Sequence, residues 1–270
     1  MTTNSASESE TLKAHNREVW GRLAAVYSTT FETLTSEAAP ALLDSAGVGR
    51  RTELLDVGTG PGTLIGPALN RGAAVCAVDL SELMVDVART RHPGVEVHVG
   101  DAHQLPFPDS SFDAVTMGFC LHHIPEPVQA LREARRVLRP GGRVAFAVWA
   151  AAPRLELFGM AFEVLARLAS LDGAPTLQAP AIGEIASDYE LLLESAGFEN
   201  PTARIVEIAW ELTGGGAVFE AFDRYFDLGG QSAASRQAIE AAFDAEVRQR
   251  ADPSGRARIP NPAVVGSARR

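Results

Sequence analysis

The sequence predicts an α/β fold built on a mostly parallel, doubly wound sheet, and three observations carry that expectation. A short apolar run ending at an acidic residue, Leu54-Leu55-Asp56-Val57, opens directly into Gly58-Thr59-Gly60-Pro61-Gly62 and then into a segment able to form a helix. Short apolar runs then alternate with helical patterns as far as Trp149. The first three of these runs each finish at or beside an aspartate: Asp56, Asp79 and Asp101.

The glycine loop has a physical logic. Glycine lacks a Cβ, so it permits positive φ and lets a ligand lie against the backbone. A helix that follows presents free N–H groups and the positive end of its dipole to that ligand. The loop suits a molecule with a carboxylate, hydroxyls or phosphate, and glycine turns after a first strand serve nucleotides of several kinds. A purely structural tight turn is the plain alternative.

Composition bounds the partners. The chain has 270 residues and a net charge of −10, which counts against a nucleic-acid partner because phosphate contacts need a basic surface. Its two cysteines, Cys76 and Cys120, sit in apolar runs far apart, so they give neither a zinc spacing nor a secreted disulfide framework. A reducing cytoplasm fits them, and no apolar run approaches membrane-spanning length.

Taken in order, the polar opening MTTNSASESE reads as disordered and unlike a signal peptide. From about residue 11, Trp20, Leu23, Ala24, Tyr27 and Phe31 recur at helical spacing. The stripe is expected to pack on the core through Trp20, and Tyr27 either joins it or covers a ligand at the first loop. A second helix is predicted over 38–46, stopping at Gly47. After the loop and its helix, residues 73–79 read as buried strand 2. Asp79 stands about twenty residues past the glycine loop, where a carboxylate accepts hydrogen bonds from ribose hydroxyls. It could instead cap the helix over 82–91, a role Ser81 also fits. Strand 3 is predicted over 95–99, and Asp101 with the next backbone N–H suits an adenine edge better than a nicotinamide. Strand 4 (114–117), a helix over 126–138, a turn at Arg139-Pro140-Gly141-Gly142 and strand 5 (144–149) follow.

Four blocks, LLDVGTGPGT, AVDLSELM, GDAHQLPFPDSSFDAV and RVLRPGGRVAF, make residues 50–150 resemble the class I S-adenosylmethionine-dependent methyltransferases, in particular their quinone-biosynthesis and natural-product branch. The resemblance implies a Rossmann-like, seven-stranded sheet with an antiparallel last strand and S-adenosyl-L-methionine as cofactor, leaving S-adenosyl-L-homocysteine. It implies that Asp56, Gly58, Gly60 and Gly62 shape the methionine end of the pocket, with Thr59 where the family usually has cysteine or serine. Asp79 would hold the ribose, Leu80 and Met84 the adenine face, Asp101 and Ala102 the adenine edge, and the Phe119 carbonyl the ammonium group.

His122 and His123 follow strand 4 at the sheet edge toward which the methyl should point. Histidine suits proton transfer near neutral pH, so the pair is the candidate general base; helix capping and core packing are the structural alternatives. His103 is a weaker candidate, Val148-Trp149-Ala150 supplies no acidic partner for a base, and no metal constellation is expected. The chain divides into N-terminal helices over the cofactor site (1–48), a cofactor-binding core (49–150), a lid insertion (151–182) and the rest of the sheet (183–270), with strand 6 over 203–210 and a helical insertion over 211–258. The insertion carries two helical patterns, 217–226 and 233–250; the helix over 155–171 carries Phe158, Met160 and Phe162 and that over 217–226 carries Phe219, Phe222, Tyr225 and Phe226, candidates for an apolar pocket or for core. The activity this implies is methyl transfer to an oxygen or carbon of an apolar small molecule of natural-product type. The alternatives are quinone-ring methylation and a non-methylating rearrangement or cyclisation on the same cofactor site. Oligomeric state is not legible.

Overall fold

The computed structural model describes residues 3–151, 154–169 and 186–270. Five parallel strands lie in one sheet: β1 (Glu53–Val57), β2 (Ala74–Asp79), β3 (Glu96–Val99), β4 (Phe112–Gly118) and β5 (Leu138–Trp149). The chain continues through β6 (Glu199–Val206), a separate two-stranded ribbon of β7 (Ala209–Leu212) and β8 (Ala257–Pro260), and β9 (Ala263–Arg269). The seven-stranded order is β3-β2-β1-β4-β5-β9-β6, with β9 antiparallel to both neighbours. This is the Rossmann-like arrangement expected, and it switches direction between β1 and β4, where ligands of such sheets bind.

Alternation of side chains gives the sheet two buried faces. Leu54, Ala114, Ala145 and Ala147 point to one and Leu55, Val115, Val144 and Phe146 to the other. The second face is covered by α6 (Pro127–Val137) and α8 (Ala186–Ser195), which contribute Leu131, Ala134, Tyr189 and Leu193. The first is covered by α1 (Thr3–Leu23), α2 (Phe31–Thr35) and α3 (Ala39–Ser45), joined by α7 (Glu156–Leu168), α9 (Gly216–Phe226) and α10 (Ala233–Gln249). Two short crossover helices, α4 (Ile65–Asn70) and α5 (Glu82–Arg91), follow β1 and β2.

Gly266 on β9 lies opposite Phe146 on β5, and a Cβ there would sit 2.3 Å from the Phe146 ring. Gly266→Ala therefore forces a shift in the sheet centre. It is expected to destabilise the fold by about 2–3 kcal/mol, read as a lower midpoint in urea unfolding.

Several expectations change. Residues 3–10 belong to α1 instead of being disordered; Ser9 is buried and its hydroxyl donates to Glu126 at 3.1 Å, which ties this end of the helix to the fold. Strand 6 begins and ends earlier than predicted. The run over 209–212 leaves the sheet to form β7, whose pairing with β8 (Leu212 opposite Ala257) pinches the helical insertion at its neck. Leu138 to Gly142 continue as strand, Gly141 taking φ 80°, where a turn was expected. Residues 152–153 and 170–182 of the expected lid insertion, with the end of the helix expected over 155–171, lie outside the described residues.

Candidate active site

The glycine loop is built as its residue types require. Gly58, Gly60 and Gly62 all have positive φ (67°, 56° and 86°). A Cβ on Gly58 would sit 2.5 Å from the Cys120 Cβ, and one on Gly62 2.7 Å from the His92 ring. Gly60 has open space where a Cβ would be and lines two cavities. Gly62 lines neither; its need is close packing on the end of α5. Arg91 fixes the loop from outside, pairing with Glu32 of α2 at 2.9 Å and donating to the Pro61 carbonyl at 3.0 Å.

Three cavities meet at the C-terminal ends of β1, β2 and β4. The first, about 110 Å³, is lined by Gly58, Gly60, Asp79, Leu80, Met84, Asp101, Ala102 and Phe119. Asp79 accepts from Gly60 N and Ser81 N, each at 2.8 Å. Ser81, not Asp79, caps α5 by accepting from Met84 N, which leaves the aspartate facing the cavity. Burial pushes the Asp79 pKa up, and its backbone donors hold it down only in part. Asp101 lies at the cavity's other end, held well below the usual carboxylate range by His103 and Lys13, which outweigh its burial; its oxygens lie 2.6 Å from His103 Nδ1 and 2.8 Å from Lys13 Nζ.

The second cavity, about 40 Å³, lies behind the loop and contains Asp56 and Thr59. Asp56 accepts from the Thr116 hydroxyl at 2.7 Å through Oδ1. Thr59 approaches Asp56, yet neither its hydroxyl nor Asp56 Oδ2 makes a well-formed hydrogen bond, and both atoms are buried. Burial raises the Asp56 pKa to about 6. An orphaned buried carboxylate oxygen of this kind wants a cationic or N–H partner.

The third space is an apolar chamber of about 230 Å³ between α1, α2, α7 and α9. Phe31, Trp149, Phe158, Phe162 and Phe222 wall it, meeting mostly edge to face, as for Phe31–Phe158 at 83° and Phe162–Phe222 at 89°. Met160 and Phe226 are core, and Phe219 packs against the core without lining the chamber. Tyr27 and Phe119 line all three spaces, and Trp20 and His123 line the first and third. Phe119 has φ 54°, a conformation that a bulky residue adopts only at a cost of about 1–3 kcal/mol.

His122 and His123 fall on the single turn after β4, rings 4.0 Å apart. Burial lowers both pKa values, His123 to about 4 and His122, also opposed by His123, well below the ordinary histidine range. Both ring nitrogens of His122 are buried without a partner, and it lines only the chamber.

Sequence reasoning missed one wall of the site. Lys13 and Asn16 of α1 line the first cavity, Asn16 donating to the His123 carbonyl at 2.7 Å, and Trp20 both packs on the core and faces the ligand spaces. A signal was present: Ser9, Lys13, Asn16 and Trp20 continue the apolar stripe at helical spacing, so a polar end of that stripe marked a polar partner. Among the described residues, Cys76, Glu96 and His98 also bring possible metal-ligand atoms within 4.8 Å of one another, on β2 and β3 and away from the three cavities.

A model of the methyltransferase domain matches residues 55–146. A demethylmenaquinone methyltransferase of Tropheryma whipplei is 33% identical over 207 residues, 69% of this chain and 84% of that protein. The chain belongs to the class I S-adenosylmethionine-dependent methyltransferases. Four other curated relatives, at 39–44% identity, are matched over only 32–57% of their own length, so the chain spans between a third and just over half of them. Among solved structures, a putative methyltransferase of Bacillus halodurans has a TM-score of 0.53 at 24% identity, covering 86% of this chain and 98% of that one. The [4+2]-cyclase SpnF has a TM-score of 0.52 at 20% identity, covering 86% and 80%. Both likenesses concern the fold.

The residues present fit the family's cofactor. Asp56 Oδ2 is an unpaired acceptor for an ammonium group, Asp79 keeps free acceptor capacity for two hydroxyls, and Leu80 and Met84 offer apolar surface for a flat base. No helix among the described residues is long and apolar enough to cross a membrane.

Proposed function

We propose that this chain transfers a methyl group from S-adenosylmethionine to an oxygen or carbon of an apolar small molecule. The observation that carries the reading is the uncharged aromatic chamber, which shares Tyr27 and Phe119 with the polar cavities behind and beside the glycine loop. The cofactor supplies a methyl carbon already activated by its positively charged sulfur. Asp79 binds the ribose, Asp101 and Ala102 the adenine edge, Leu80 and Met84 its face, and Asp56 with the Phe119 carbonyl the ammonium end. Gly58, Thr59 and Gly60 keep the backbone close enough for those contacts, and Gly62 keeps the loop pressed on α5. The chamber's aromatic walls orient the acceptor and exclude water. His122 accepts the acceptor's proton at a ring nitrogen, and Trp20, 4.8 Å from the His123 ring, holds the histidine pair in place.

Because both histidines are neutral above their depressed pKa values, the base form is present across the neutral range. At saturating cofactor, kcat should stay flat from pH 8 down through 6.5, because burial and the neighbouring His123 hold the His122 ring well below the ordinary histidine range. His122→Phe should lower kcat at least about a hundredfold for a hydroxyl acceptor while leaving cofactor affinity within about twofold. A kcat that climbs through pH 6.5 would contradict the assignment. The pair also sets a stability trend. Its folded-state pKa values lie below the unfolded value, so its contribution is complete above pH 6.5 and lost as pH falls toward 4.

Quinone-ring methylation is the second reading, favoured by the relatives named demethylmenaquinone methyltransferase. The acidic surface argues against nucleic-acid acceptors, and the two free cysteines suit the cytoplasm; a place in secondary metabolism belongs to the same proposal. The test is label transfer: methyl-labelled S-adenosylmethionine incubated separately with a low-mass metabolite extract, total RNA and total protein. Label in the low-mass apolar fraction supports the reading, with a methylated naphthoquinol pointing to the quinone version. Label in RNA or protein alone would overturn it.

A further inference from the structure

We infer that the acceptor is a neutral, flat, two-ring aromatic bearing a hydroxyl, and that Thr35 is the residue that recognises this hydroxyl. The inference rests on the chamber being the acceptor site, as proposed above. Size comes first. The chamber's 230 Å³ exceeds the roughly 150 Å³ that an engineered cavity uses to hold one benzene. It is therefore too large to be filled by a single ring.

Charge comes second. Among the described residues no Asp, Glu, Lys or Arg lines the chamber. A charged ligand would lose its hydration there without a counter-ion, at a cost of several kcal/mol. Shape comes third. The walls are ring edges and faces of Phe31, Trp149, Phe158 and Phe222, at 77–83° to Phe158, an arrangement that receives another aromatic ring edge to face.

The polar atoms decide orientation. Thr35 is 6% exposed, and its hydroxyl is buried without a hydrogen-bond partner. Tyr27 comes near it, but no bond of acceptable geometry joins the two. Thr35 ends α2 and lines both the chamber and the small cavity behind the glycine loop, so it marks the chamber's cofactor-facing end. A buried hydroxyl left unpaired costs stability in the free protein, and a ligand hydroxyl returns that cost on binding. A site built this way rejects an analogue that lacks the hydroxyl more strongly than it rejects one of slightly different size.

Trp20 and Trp149 line the chamber, so binding is read by quenching of tryptophan fluorescence, with S-adenosylhomocysteine present and no turnover. The probes are 2-naphthol, naphthalene, phenol and 2-naphthoate. The expected result is that 2-naphthol binds at least about tenfold more tightly than each of the other three. Thr35→Val should cut the preference for 2-naphthol over naphthalene at least about threefold, the remainder coming from the unpartnered His122 ring nitrogens that line the same chamber, and should raise the melting temperature of the free protein. Thr35→Ser, which keeps the hydroxyl, should preserve the preference. Equal binding of 2-naphthol and naphthalene, or a preference that Thr35→Val leaves unchanged, overturns the role of Thr35. Phenol or 2-naphthoate binding as tightly as 2-naphthol overturns the ligand class. Tight 2-naphthol binding in a protein that transfers no label would leave this inference standing and sink the methyl-transfer reading, so the two failures are distinguishable.

Discussion

Asp79→Asn is expected to weaken S-adenosylmethionine binding by at least about a hundredfold in calorimetric titration, with the fold retained. The carboxylate receives two backbone donors, Gly60 N and Ser81 N, one on each oxygen. An asparagine keeps the shape but must turn an NH₂ toward one of those N–H groups, so one contact becomes repulsive. It also loses the charge that makes hydrogen bonds from ribose hydroxyls strong, and charge-assisted bonds of this kind contribute about 1.5–3 kcal/mol each. Circular dichroism should be unchanged, because the site lies at the ends of strands whose cores do not involve Asp79. A loss smaller than about fivefold would mean that the cofactor is not held at the end of β2.

Gly58→Ala should abolish measurable cofactor binding and lower the melting temperature by roughly 6 °C or more, from a cost of about 3 kcal/mol. Two penalties add. Alanine resists φ 67°, and its Cβ would lie 2.5 Å from the Cβ of Cys120 and 2.7 Å from its sulfur. Removing that side chain separates them: Cys120→Gly in the Gly58→Ala background should recover the clash but not the backbone strain, restoring part of the stability. Cys120 Sγ also donates to the Val57 carbonyl at 3.2 Å, so the single Cys120→Gly variant carries its own small loss and completes the cycle. No recovery in the double variant would mean that strain at Gly58, not crowding, dominates.

Much of this site is legible in the sequence, for reasons that can be named. Strands β1 to β4 are short and locally punctuated and the first three finish at or beside Asp56, Asp79 and Asp101, so they can be read residue by residue, whereas the start of β5 at Leu138 to Gly142 reads as a turn. Gly58, Gly60 and Gly62 declare a loop that needs positive φ, and the spacing from that loop to Asp79 is set by one crossover helix. What escapes is contact over long sequence separation. Lys13 meets Asp101, Ser9 meets Glu126, and Asn16 meets the His123 carbonyl only because α1 folds back over the sheet edge. No local pattern announces those pairs, and the polar opening instead reads as disorder. The boundary of β6 fails for a related reason: the apolar run 203–210 continues past Val206, and only the pairing of Trp210 with Ile259 on β8 draws its end out of the sheet. The chamber was half legible. Phe158, Phe162, Phe222 and Tyr225 could be put on helices, but which of their faces meet Phe31 and Trp149 depends on tertiary packing.

The central claim, that the chain moves a methyl group, is tested most directly by counting S-adenosylhomocysteine against methylated product. The protein is incubated with methyl-labelled S-adenosylmethionine and the low-mass extract, and both species are quantified by mass in wild type and in Asp79→Asn. The account predicts one S-adenosylhomocysteine for each label found in product, with both lost together in the variant. Conversion of an extract component without S-adenosylhomocysteine, in a protein that still binds the cofactor, would contradict it.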